Sequence, residues 1–208
     1  MEDITYNKSR VISFSDAIFS IAMTLLVLEL NVPSYKAFNE LGTLQILSNR
    51  IPSFIGFAVS FLVTAIYWTE HMRIMKYVSS IDNKLLWLNM FLLLFIVLMP
   101  FSTAFYVQGF KVSCGFIFYT FNLAIIGLFS YFITRYVVKN EKGKTGLTTI
   151  IGKWKKTRAL SSFIFWFTSG LIAMIHLEFG RFLFLVIFII NPLIDRYYKK
   201  KQRLKCLL

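Results

Sequence analysis

Four side chains could do chemistry in a sequence that is otherwise mostly apolar: Asp16 and Glu29 in the first hydrophobic run, and the only two histidines, His71 and His176. A carboxylate at the centre of a membrane-spanning helix costs about 3 kcal/mol even on a lenient insertion scale, so Asp16 must face protein or water and have a partner. Two roles stay open for it: a proton- or ion-handling group, or a structural residue that is capped or paired with Arg10 or His71. Glu29 lies towards the far end of the run, where a long side chain can reach the interface. The histidines sit near the ends of apolar runs and belong to no zinc-protease, nucleophile-elbow or metal-binding pattern. Cys114 and Cys206 offer no disulfide framework and no metal-ligand spacing. The expectation is a protein that is not an enzyme and has no cofactor and no resident metal.

The elements that position these residues follow from composition. Of 208 residues, 57% are hydrophobic and only 16% charged, and the mean hydropathy is +0.64. A soluble domain of this size cannot carry that much apolar surface, so lipid is the expected solvent. Uncharged runs such as Leu85 to Gln108 and Val112 to Thr134 exceed the ~20 residues that a spanning helix needs. The expected fold is an all-α polytopic membrane protein, one domain over residues 1–208, with six spans: Val11 to Val32, Pro52 to Thr69, Leu85 to Val107, Ser113 to Val138, Ala159 to Ile175 and Arg181 to Asp195. The first run is too long for a signal-peptide core and carries Asp16 and Glu29, so it is expected to remain as helix one. Pro33 and Pro52 punctuate the first loop, whereas Pro100 and Pro192 fall inside runs and should kink them. Spans five and six are short, and a re-entrant pair there stays open.

Lys and Arg number 23 against 10 acidic residues, a formal charge of +13. In a soluble protein that would suggest nucleic acid, but these charges lie between and after the hydrophobic runs, where positive-inside sorting and anionic headgroups favour them. Six spans put 19 of the 23 on the side of the N-terminus. Both termini are therefore expected in the cytoplasm, with membrane lipid and not nucleic acid as a partner. The basic stretch from Lys139 to Arg158 fits positive-inside sorting as well as it fits lipid binding.

Helix one has two faces. At about 100° per residue, Ile21, Leu25 and Leu28 share a stripe about 60° wide, with Thr24 on its flank and Asp16 nearly opposite. Residue types alone make that stripe ordinary packing or lipid-facing surface.

The run Arg10-x-x-x-Phe14-Ser15-Asp16 resembles the signature that opens helix one in the transmembrane protein 175 family of endosomal and lysosomal potassium channels and their prokaryotic relatives. The likeness extends to His71 after helix two, to Trp87-Leu-Asn89 in helix three and to Pro100-Phe101-Ser102, and follows all six spans in order. It implies a potassium-selective channel of a prokaryotic plasma membrane, with helix one lining a central pore. With one six-helix repeat it also implies a homotetramer and passive K⁺ conduction. Ile21, Leu25 and Leu28 then match hydrophobic constriction rings, Thr24 matches a selectivity residue, and Arg10, Phe14, Ser15, Asp16, His71, Trp87 and Asn89 match a network anchoring helix one. No T-V-G-Y-G-like loop is present, so a carbonyl-ring filter is not expected. The competing reading is a proton-coupled secondary transporter using Asp16 and His71.

Overall fold

The computed structural model describes residues 5–30, 32–40, 42–141 and 143–206. Helix α1 covers Lys8–Leu25 and starts where the Asn7 side chain accepts from the Arg10 amide, an N-cap that satisfies one of the free donors of the first turn. Its α-geometry stops at Leu25 and continues as a 3₁₀ turn, Leu26–Glu29. This differs from the unbroken helix expected to Val32, and it moves Leu28 off a strict 100° stripe.

The first loop is not plain loop. It holds two short helices, α2 (Tyr35–Glu40) and α3 (Thr43–Asn49). Helix α4 (Ile51–Met75) begins with Pro52, where a missing N–H goes unnoticed, and runs six residues beyond the expected Thr69. His71 is thus inside the helix and buried rather than after it. A two-stranded ladder joins β1 (Thr5–Tyr6) to β2 (Ile81–Asp82), Thr5 opposite Asp82, and ties the chain before α1 to the α4–α5 loop.

Asp82 caps α5 (Asn83–Val97) by accepting from the Leu85 amide. The third run is broken as its proline predicts: Leu98 separates α5 from α6 (Met99–Gln108), because Pro100 has no N–H for the Ile96 carbonyl. Helix α7 (Ser113–Glu141) follows, then a loop in which Gly146 takes φ +76°, a left-handed conformation that a side chain would strain. Thr148 caps α8 (Thr149–Ala173), and α9 runs from Leu177 to Cys206 with Pro192 inside it.

Among the described residues, five segments are long and apolar enough to cross a bilayer: Lys8–Glu29, Ile51–Met75, Asn83–Gln108, Ser113–Glu141 and Leu177–Gln202. Helix α8 differs because Lys153, Lys155, Lys156 and Arg158 occupy its first half, leaving an apolar stretch shorter than ~20 residues. It packs along both α7 and α9.

The core runs through the whole bundle, from Phe19, Ala22 and Leu26 through Ile96 and Met99 to Tyr119, Leu123 and Ile126. Lipid supplies little hydrophobic drive between helices, so hydroxyls and amides add interhelical bonds. Thr103 Oγ1 donates to Ser60 Oγ at 2.9 Å, Ser60 pairs with the Tyr119 hydroxyl at 3.0 Å, and Asn122 Nδ2 donates to Ser102 Oγ at 3.2 Å.

Candidate functional site

Helix α1 shows one face to the bundle and one away from it. Val11, Ser15, Phe19, Ala22 and Leu26 are buried at intervals of three or four residues, the spacing of one helical side, against α4, α5 and α6. On the other side of the single chain, Ile21 is 53% exposed, Leu25 39% and Leu28 68%. Thr24 is exposed beside them, and its hydroxyl donates to the Ile21 carbonyl at 2.8 Å. With its proton turned inward, that oxygen offers only lone pairs to whatever passes the outer face.

The buried side is pinned by a chain of hydrogen bonds. Ser15 Oγ donates to the Val11 carbonyl at 2.8 Å and accepts from Asn89 Nδ2 at 2.9 Å. The Asn89 amide oxygen lies 2.8 Å from His71 Nε2. An amide oxygen only accepts, so His71 donates from Nε2. Its Nδ1 is buried and meets no partner among the described residues, and its ring lies 5.7 Å from that of Phe19. One amide thus joins α1, α4 and α5.

Asp16 is held separately. Trp68 Nε1 donates to Asp16 Oδ1 at 2.9 Å; neither Arg10 nor His71, the partners expected from sequence, takes that place. The structure therefore brings Ser15, His71 and Asn89 together and ties Asp16 next to them, while Arg10, Phe14 and Trp87 stay on the surface of the chain. Trp87 packs near Phe91 at 6.2 Å between ring centroids. Sequence reading missed Trp68, although its place three residues before His71 puts both on one side of α4.

A second polar cluster was also missed. Glu70, between Trp68 and His71 in sequence, turns to α8: its Oε2 accepts from Lys155 Nζ at 2.8 Å and its Oε1 lies 3.5 Å from Arg158 Nε. Arg158 continues to Asp195 of α9, which also accepts from Trp154 Nε1 at 2.8 Å. The signal was a lone carboxylate just past the expected end of span two, in a chain whose basic residues gather before span five. Among the described residues no group of His, Cys, Asp and Glu has the makings of a metal site.

Residues 10–100 match the family described as endosomal/lysosomal potassium channel TMEM175. A potassium channel of Streptomyces collinus is 40% identical over 95 residues, 46% of this chain and 45% of that one. A potassium channel of Chamaesiphon minutus is 38% identical over 95 residues, 46% of this chain and 47% of that one. The chain thus spans about half the length of these curated relatives. The endosomal/lysosomal proton channel TMEM175 of Mus musculus is 27% identical over 138 residues, 65% of this chain and 27% of that one. The crystal structure of a lysosomal potassium-selective channel TMEM175 homologue from Chamaesiphon minutus superposes with a TM-score of 0.78 at 21% identity, covering 92% of this chain and 97% of the other, so the fold is shared over most of the chain. The matching residues hold the two-faced helix and its anchors, and over them this chain is similar to the TMEM175 family and to potassium channels of its prokaryotic relatives.

Proposed function

We propose that the protein is a potassium channel whose pathway is lined by the outward face of α1, in a homotetramer that conducts K⁺ passively across a prokaryotic plasma membrane. The observation that carries this reading is the division of α1. One side is buried and bonded at Ser15 and Asp16, and the other leaves Ile21, Leu25 and Leu28 uncovered. Four such faces about an axis make apolar rings that gate by dewetting, with Thr24 oxygens between them to replace part of a cation's hydration. The potassium channels of Streptomyces collinus and Chamaesiphon minutus, similar over this half of the chain, support the choice of ion.

Cytoplasmic termini follow from the charge pattern. The Lys8–Val78, Glu70–Lys155 and Arg158–Asp195 contacts gather the starts of α1 and α8 and the ends of α4 and α9 at one end of the bundle, the end that carries the basic clusters. The transporter reading would need Asp16 or His71 free to load and release a proton. Asp16 is engaged by Trp68 and His71 by Asn89, which favours anchoring roles for both.

The test is flux from liposomes under an imposed K⁺ gradient. The unaltered chain is expected to conduct, and Ile21→Asn, which wets one apolar ring, to conduct several-fold faster. No flux from either protein overturns the channel reading, and saturable, pH-coupled uptake abolished by Asp16→Asn would install the transporter instead.

A further inference from the structure

Towards the end of the bundle that carries the chain termini, α4, α7, α8 and α9 enclose a cavity of about 130 Å³. Its walls change character along its length. From the terminal end towards the middle, Glu70 gives way to Val63 on α4, Arg158 to Trp166 on α8, and Asn191 to Ile187 on α9. Ile66 of α4 is 39% exposed and Phe188 of α9 36%, so the cavity opens sideways between these two helices. For a chain dissolved in lipid, sideways is the bilayer.

The charged end is unbalanced. Glu70 accepts from Lys155 Nζ at 2.8 Å and from Arg73 Nη1 at 2.7 Å. Arg158 gives Nη1 to Asp195 and holds Nε 3.5 Å from Glu70. Three cations thus share two carboxylates. Arg158 has a donor to spare: Nη2 meets no acceptor among the described residues, and it is not one of the atoms shut off from solvent. The whole side chain is 13% exposed. A cation taken largely out of water calls for an anionic partner.

We propose that the cavity is a site for an anionic phospholipid of the leaflet at this end, with a phosphodiester oxygen accepting from Arg158 Nη2. The first part of an acyl chain lies beside Ile66 and Phe188. Three features select this occupant. The guanidinium fork suits phosphate, and one negative charge balances a surplus of one. The order of polar and apolar walls is the order of headgroup and chain in that leaflet. A space of this size takes a benzene-sized group, so it admits the phosphate and a few methylenes, and the rest of the lipid stays in the bilayer. No residue of α1 takes part, so this site stands or falls apart from the pore.

Native mass spectrometry of the full chain, released from vesicles of phosphatidylglycerol, tests this. One lipid per chain is expected to survive release. Arg158→Lys keeps the charge and the pairing with Asp195 but removes the spare donor. Ala159→Phe grows a ring from the cavity wall and leaves every charge in place. Each should lower occupancy at least tenfold at the same lipid concentration. Circular dichroism monitors the helices, and Ala159→Phe carries the decision should Arg158→Lys fail to fold. Equal retention by all three proteins overturns the proposal, as does equal retention of diacylglycerol, which has no phosphate. Inorganic phosphate retained in place of the lipid overturns it too. So does a second copy sealing the opening, seen when Ile66→Cys in a Cys114→Ser, Cys206→Ser background resists a lipid-soluble maleimide in lipid-free detergent.

Discussion

Asn89 is the residue on which the placement of α1 turns, because its amide gives a proton to Ser15 and takes one from His71. Replacing it by Ala leaves the buried His71 Nε2 without its acceptor, at a cost of about 1–3 kcal/mol, and takes one of two hydrogen bonds from Ser15, which keeps the Val11 carbonyl. Asn89→Ala is therefore expected to lower the unfolding midpoint in detergent by many degrees, whereas Trp87→Ala, at an exposed side chain, should lower it far less. Thr24 belongs to the same scale. Thr24→Val keeps the shape and removes the outward lone pairs, so K⁺ flux should persist while discrimination against Na⁺ falls, read as a shift in reversal potential under mixed ions. At this scale the sequence revealed which residues are costly but not whom they meet. Asp16 demanded a partner, yet nothing in the spacing within α1 pointed to Trp68, because helical period assigns a residue to a face and not to the neighbour across it.

Among elements, the close approach of α6 and α7 depends on a missing side chain. A Cβ on Gly115 would lie 2.7 Å from the Phe105 carbonyl oxygen and 3.1 Å from the Tyr106 Cα, both backbone atoms that cannot yield without moving α6. Gly115→Ala is expected to cost about 1–3 kcal/mol, measured as a drop in the unfolding midpoint. Most spans were legible in the sequence because uncharged runs this long have few other uses, and Pro100 marked the α5–α6 break, which falls two residues before it at Leu98. The 3₁₀ turn at Leu26–Glu29 was not legible, since Leu, Val and Leu serve either helix type equally and the neighbours α4 and α6 decide. Helix α8 was under-read for another reason: its basic first half is helical but not apolar, so hydropathy saw only the remainder.

Across the molecule, Glu70 links the part that holds α1 to the α8–α9 pair through Lys155 and Arg158. The Lys155 side chain is only 7% exposed, so Glu70→Gln strands a buried cation. Removing one member of such a pair costs about 3–5 kcal/mol. Glu70→Gln should destabilise the fold, and Glu70→Gln with Lys155→Met should recover much of the loss, which a double-mutant comparison of unfolding midpoints checks. The assembly is testable at the same scale: light scattering in detergent should give the protein mass of four 24.3 kDa chains, and two would argue for a different arrangement of α1 faces.

The ladder between β1 and β2, with Lys8 Nζ donating to the Val78 carbonyl at 2.6 Å, has a mechanical meaning. It clamps the foot of α1, while the tip is wound as a 3₁₀ turn, whose tighter winding gives poorer hydrogen-bond geometry than the α-helix below it. A rod clamped at one end and weakened at the other bends at the weak end. In the proposed tetramer, spin labels at position 28 should then report a broader spread of distances between copies than labels at position 21.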